Sequence, residues 1–144
     1  MPNSINRWTR RAAAARDCPW VAVHVETGTA LTDDERQHVS RQLALARQLE
    51  HPPSLAYAEL SAALLGQCRR DVASTQAHAD AVMALAEAQG FALRLEQGRM
   101  LRGWALAEQG QAVDGLAQIR QGLVAWQAIG SQTRTYDLAM LVGV

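Results

Sequence analysis

The side chains able to do chemistry are few and scattered. His24, His38, His51 and His78 fall in four different segments, and none meets another His, a Cys or a carboxylate in an HExxH-like arrangement. A divalent metal needs several such ligands converging on it, so the spacing predicts no metal site. Glu59, Glu96 and Glu108 could meet only through tertiary contact, and solvated helix faces account for them more simply than tuned acid–base chemistry. Gly98 and Gly103 enclose four residues in the outline of a phosphate loop, but Trp104 and Ala105 stand where Lys and Ser or Thr must be. All fourteen basic residues are Arg, which removes Schiff-base and lysine-base chemistry altogether. Cys18 and Cys68 form no CxxC pair and read as buried small apolar residues. The expectation is a chain that is not an enzyme, with no catalytic residue, cofactor or metal.

Composition points the same way. The chain has 144 residues, 49% of them hydrophobic, and zero formal net charge, enough for one domain with a core. Arg and acidic residues are balanced on both sides of His51, so neither half offers a polyanion-binding field. Nucleic-acid binding would require a basic face, and only Arg7 to Arg16 and the group Arg94, Arg99 and Arg102 approach one. No apolar run reaches the roughly 18 residues of a membrane span. The arginines of the first sixteen residues superficially suggest an organellar presequence, but Ile5, Trp8, Ala12 and Ala15 share one face, as in an ordinary amphipathic helix. A cytoplasmic protein that contacts neither nucleic acid nor membrane is expected.

The elements that must position these residues are mostly helices. After the N-terminal helix, Trp20 to Glu26 alternates Val21, Val23 and Val25 with Ala22 and His24, a strand signal. Thr32 or Asp33 can cap a helix reaching about Leu49, with Asp33, Asp34 and Glu35 at its positive end. His51-Pro52-Pro53-Ser54 is the clearest boundary, because two prolines cannot continue a helix but can open one. Two segments are therefore expected: a short helix–strand–helix unit over 1–51, and a purely helical region over 52–144 broken at Arg69–Asp71, Gln89–Gly90, Gln109–Gln111 and Gly130–Thr133. Four helices and the start of a fifth follow, each with one apolar face and short loops that demand antiparallel neighbours.

The helical region repeats itself. AVMALAEAQG (81–90) answers GLVAWQAIG (122–130), an offset of 41 that sets Gly103 on Ala62 and Gly122 on Ala81. A mid-helix Gly costs about 1 kcal/mol relative to Ala, so Gly103, Gly115 and Gly122 predict close helix approach. The segment GWALAEQGQAVDGLAQIRQGL (103–123) resembles the central part of a tetratricopeptide repeat, with Gly103 at the small first-helix position, Gly110 at the turn and Ile119 at the aromatic position of the second helix. Arg99 and Arg102 depart from that pattern, and the spacing exceeds the family's usual length of about 34. The whole stretch from His51, including HPPSLAYA and LRGWALAEQGQ, resembles the C-terminal repeat arrays of large bacterial proteins that join a nucleotide cyclase or kinase to an ATPase module. Residues 5–50, through PWVAVHVETG and LTDDERQHVSRQLALARQLE, resemble the universal-stress-protein-like region of osmosensitive potassium-channel sensor histidine kinases. The nucleotide-binding glycines of that region have no counterpart here, so no binding residue is carried over.

The resemblance implies a mainly α, antiparallel helix-pair array and a non-catalytic protein–protein interaction module, a scaffold or a regulatory fragment of a signalling protein. In the repeat register it implies, Glu59, Ala63 and Gln67 of one unit and Gln97, Met100, Trp104 and Glu108 of the next line a groove for a protein or peptide partner. Trp104 is the expected anchor, although it also lies on the main apolar stripe of its helix. The last helix, Asp137 to Val144, ends in AMLVGV without a polar cap, so self-association through it is expected. Two other readings are a nucleotide- or second-messenger-sensing remnant of the N-terminal segment, and a truncated gene product without independent function.

Overall fold

The computed structural model describes residues 33–130. The N-terminal helix, the strand expected at Trp20 to Glu26 and the final helix expected at Asp137 to Val144 lie outside the described residues. Within them there are five helices and no strand: α1 (Asp33–Gln48), α2 (Pro52–Cys68), α3 (Val72–Gln89), α4 (Ala92–Glu108) and α5 (Ala112–Ala128). None is long and apolar enough to cross a membrane.

The helix starts follow from local chemistry where a cap is present. Asp33, Asp34 and Glu35 occupy the first turn of α1, against the partial positive charge of the helix end. His51 caps α2, its Nδ1 accepting from the Ser54 backbone N–H at 3.4 Å, while Pro52 and Pro53 fill positions whose N–H groups have no helical acceptor. Asp71 caps α3 by accepting from the Ser74 N–H at 3.1 Å. The helices stop where the chain turns through a left-handed residue. Those residues are Glu50, Arg70, Gly90, Gly110 and Gly130, one every twenty positions. The helices after α1 likewise begin at Pro52, Val72, Ala92 and Ala112, so the structural repeat is 40 residues and not the 41 of the sequence alignment.

Burial confirms the corrected register. The inward positions of α3, Thr75, Ala79, Val82 and Ala86, recur 40 residues later as Gly115, Ile119, Gly122 and Trp126, and all eight are buried. In α2 and α4 the pairs Ala56/Glu96, Ala58/Gly98, Leu60/Met100, Ser61/Leu101, Ala63/Gly103 and Leu65/Ala105 match in the same way. At an offset of 41 the second-helix match collapses, because Thr75, Ala79 and Ala86 then fall on Leu116, Arg120 and Gln127, none of which is buried. The similarity of the Gly-terminated helix ends favours 41, whereas the fold is governed by which side chains face inward.

Each helix packs antiparallel on the next, and α2 also touches α4 side by side. The second helices α3 and α5 make no comparable contact, so first helices form one layer and second helices the other. The helix α2 is enclosed on three sides. Ala58, Ala62 and Leu65 meet Val39, Leu43 and Ala46 of α1 in one apolar cluster. Leu60 and Ala63 join Ala79, Val82, Met100, Leu101, Trp104, Ile119 and Trp126 in the main one. A helix enclosed on three sides needs small residues over most of its circumference rather than one apolar stripe, which is why AYAELSAALLG reads as Ala-rich and weakly amphipathic. The boundary expected at residue 51 is thus a tight turn between two packed helices.

Two glycines fix the approach of α4 to α5. A Cβ on Gly103 would stand 2.7 Å from the Gly115 carbonyl oxygen and 2.9 Å from Ile119 Cγ1. One on Gly115 would collide with the Gly103 carbonyl and lie 2.8 Å from the Ala107 N atom. Gly98, the other half of the apparent phosphate loop, faces Met83, Val82 and the Ala79 carbonyl of α3 from the middle of α4. The glycine spacing therefore serves helix packing on both sides of α4.

Candidate partner-binding face

The seven residues expected to line a groove divide into two sets. Gln97, Met100, Trp104 and Glu108 follow one another at about one helical turn along α4, with Met100 against Gly122 of α5. Gln97 is half-buried and accepts from Arg94 Nη1 at 2.8 Å. Met100 and Trp104 are 2% and 7% exposed and belong to the main core cluster. Glu108 lies at the surface, where both its oxygens accept from Arg70 Nη2, at 2.8 and 3.0 Å.

Glu59, Ala63 and Gln67 lie elsewhere on α2. Glu59 is buried between α1 and α3: its Oε1 accepts from Arg47 Nη2 at 3.1 Å, and its Oε2 is 2.7 Å from His78 Nδ1. Burial by itself raises the Glu59 pKa, but the hydrogen bonds from His78 and Arg47, with their charges, outweigh it and hold the carboxyl below its ordinary value. Ala63 is fully buried, and Gln67 is half-buried at the C-terminal end of α2. In the 40-residue register these three correspond to Arg99, Gly103 and Ala107, the flank of α4 that meets α5. The α2 residues that correspond to Gln97, Met100, Trp104 and Glu108 are Tyr57, Leu60, Leu64 and Cys68, the last exposed at the end of α2 and not buried as expected. One residue of slip turns a helix by about 100°, enough to move a residue from one face to the next.

Sequence reasoning missed two contacts that join α2 to α4. The Arg94 guanidinium lies over the Tyr57 ring, 5.5 Å from its centroid. Arg70, in the turn after α2, holds Glu108 at the end of α4. The signal that could have found the first was present: with a period of 40, Tyr57 stands level with Gln97, one turn from Arg94. The resulting face carries an aromatic ring, a guanidinium, a primary amide and the half-buried Leu64 and Leu93, flanked by the Arg70–Glu108 ion pair. Such a mixture can hold a peptide by apolar contact and directed hydrogen bonds.

Other polar groups are absorbed by the helices. Ser61 Oγ donates to the Tyr57 carbonyl at 3.0 Å and Thr75 Oγ1 to the Asp71 carbonyl at 2.8 Å, which satisfies both buried hydroxyls. Arg102 pairs with Asp80 across α3 and α4 at 3.3 Å. Among the described residues no group of three or more His, Cys, Asp or Glu side chains is placed to hold a metal ion. Comparison with protein-family models, curated proteins and solved structures yields no match to this chain.

Proposed function

We propose that the chain is a non-catalytic interaction module of tetratricopeptide type, in which α2 and α4 present a face to a peptide or helix of another protein. The observation that carries this reading is the layering: successive first helices lie side by side while the second helices diverge, which makes the α2–α4 side the inner, concave one. The aromatic, guanidinium and amide groups of Tyr57, Arg94 and Gln97 stand on that side, half-exposed. Aromatic and Arg side chains dominate the energetics of protein interfaces, and here they are held in place by each other. The tetratricopeptide assignment rests on the alternation of small and large residues at Gly103, Gly110, Gly115 and Ile119; the 40-residue unit makes it a long variety.

The test is selection of peptides from a displayed library on the full chain, followed by affinity measurement on variants. Arg94→Ala and Gln97→Ala are expected to weaken the selected peptides roughly tenfold, about 1.4 kcal/mol, with an unchanged melting temperature. Peptides that bind wild type and both variants equally, or that protect α3 and α5 from hydrogen exchange instead, would sink the groove.

A further inference from the structure

A guanidinium drawn partly out of water keeps its charge, so it needs a partner. Among the described residues Arg36, Arg94, Arg99 and Arg102 are the half-buried arginines. Three of them face an acid: Arg36 meets Asp33 at 3.1 Å, Arg99 meets Glu96 at 3.4 Å and Arg102 meets Asp80 at 3.3 Å. No acid among the described residues pairs with Arg94: its Nη1 donates to the neutral Gln97 Oε1 at 2.8 Å, and its guanidinium lies 5.5 Å from the Tyr57 ring centroid. The ring attracts the cation through its quadrupole but does not neutralise it. The acids of α2 and α4 are committed elsewhere. Glu59 is taken by Arg47 and His78, Glu96 by Arg99, and Glu108, about 21 Å further along α4, by Arg70.

The start of α4 adds to this positive charge. Its first turn contains no acid, and its N-cap Phe91 offers no side-chain acceptor, whereas α1 begins with Asp33, Asp34 and Glu35 and Asp71 caps α3. Arg94 stands in that first turn, so its charge and the positive end of the helix dipole reinforce each other. The guanidinium is also held in place, by the Tyr57 ring and by Gln97, and only one of its five donors is used. Gln97 gives its oxygen to the cation, which leaves its amide N–H groups to donate to something else.

We propose that this site takes the side-chain carboxylate of an aspartate or glutamate within the bound peptide, held bidentately by the Arg94 guanidinium, with the Gln97 amide as a second donor. The proposal rests on the reading of the α2–α4 side as a peptide groove and names the chemistry of its occupant. A carboxylate is planar, matches the guanidinium fork and brings the negative charge that Arg94 and the start of α4 lack. Leu64 lies two turns beyond Tyr57 on the same side of α2, about 10 Å along the helix. An extended peptide rises about 3.3 Å per residue, so a residue three positions from the acid reaches Leu64. The peptide therefore carries an acidic and an apolar residue three positions apart.

Two libraries of short peptides, one joined to its carrier at both ends and one with free carboxyl ends, are selected in parallel on the full chain. The first is expected to yield binders with Asp or Glu in the consensus and an apolar residue three positions away. A selected peptide, synthesised with acetylated and amidated ends, should bind roughly tenfold more weakly when its acid is changed to the amide, and wild-type peptide should lose as much on Arg94→Gln. The two changes together should cost no more than either alone, which is the signature of one shared contact. Arg94→Lys keeps the charge but not the fork and should recover little of the loss. Circular dichroism of each variant should match wild type. Binders that respond to Gln97→Ala but carry no acid, or losses that simply add, would overturn the carboxylate site and leave the groove standing. Binders found only among free carboxyl ends would overturn the side-chain assignment. Binders that ignore Arg94 and Gln97 alike, or no binder from either library, would remove the groove and the site together.

Discussion

Replacing Gly115 by Ala separates two opposing effects whose sizes are known. In an unconstrained helix interior the change stabilises by about 1 kcal/mol, because Ala loses less backbone freedom on folding. Here the added methyl would meet the Gly103 carbonyl, the Ala107 N atom at 2.8 Å and the Ala107 Cβ at 2.9 Å. Two of those atoms are backbone of α4 and cannot rotate away, so the helices must part. Parting forfeits contacts around Ile119, Trp104 and Trp126 in the main cluster. Overpacking of this kind costs roughly 1–3 kcal/mol, and the rigid neighbours put Gly115 at the upper end, leaving a net loss of about 2 kcal/mol after the propensity gain. With an m-value of about 2 kcal/mol/M in urea, the midpoint should fall by about 1 M, read by circular dichroism at 222 nm. Gly122→Ala is the internal comparison, since its nearest neighbour is the Met100 Cγ at 2.7 Å, the flexible part of a side chain. Its midpoint should move by less than about half as much. A rise in the midpoint for Gly115→Ala would show that α4 and α5 do not approach closely there, and the account of the repeat glycines would be wrong.

Other substitutions test other parts of the structure. Trp104→Ala should cost about 3–5 kcal/mol in chemical denaturation, as for other buried aromatics; a small loss accompanied by lost peptide binding would return Trp104 to the groove surface. His78→Ala removes one of the two partners of the buried Glu59 carboxylate and should cost about 1.5–3 kcal/mol at neutral pH. The Glu59 pKa is lowered on folding, so its carboxylate contributes stability that is fully present above the unfolded value of 4.5 and lost as pH falls through the lower folded value. Acid unfolding of wild type and Glu59→Gln should accordingly converge below pH 4.5, and a difference that grows on acidification would refute the assignment. Glu50 holds a left-handed conformation at φ 47°, and Glu50→Gly should stabilise by about 0.5–1 kcal/mol in the same urea assay.

How much was legible beforehand depended on the kind of signal. The helix α1 was readable from Asp33, Asp34 and Glu35 ahead of an apolar stripe, and the start of α2 from its two prolines, because caps and breakers act through bonds local in the chain. The turns at residues 70, 90, 110 and 130 fell where the sequence placed them. The repeat was visible but slipped by one residue, since matching letters weigh Gly and Ala equally wherever they stand. Glu59 looked like a solvated or groove-lining residue for a related reason: the two partners that hydrogen-bond it come from α1 and α3, 12 and 19 residues away. No local pattern announces a salt bridge between three helices.

What the residues determined unaided is the sequence of helices, their length of about five turns and their antiparallel order, all of which depend on capping, periodicity and short connections. The tertiary structure decided which side of each helix faces which neighbour. That choice carries Trp104 from the expected anchor into the core, sets Glu59 between Arg47 and His78, buries Ala63, and brings Tyr57 under Arg94. The reason is geometrical: one residue along the chain is 100° around a helix of 3.6 residues per turn, so register, which only packing sets, determines whether a side chain meets solvent, a partner or the interior.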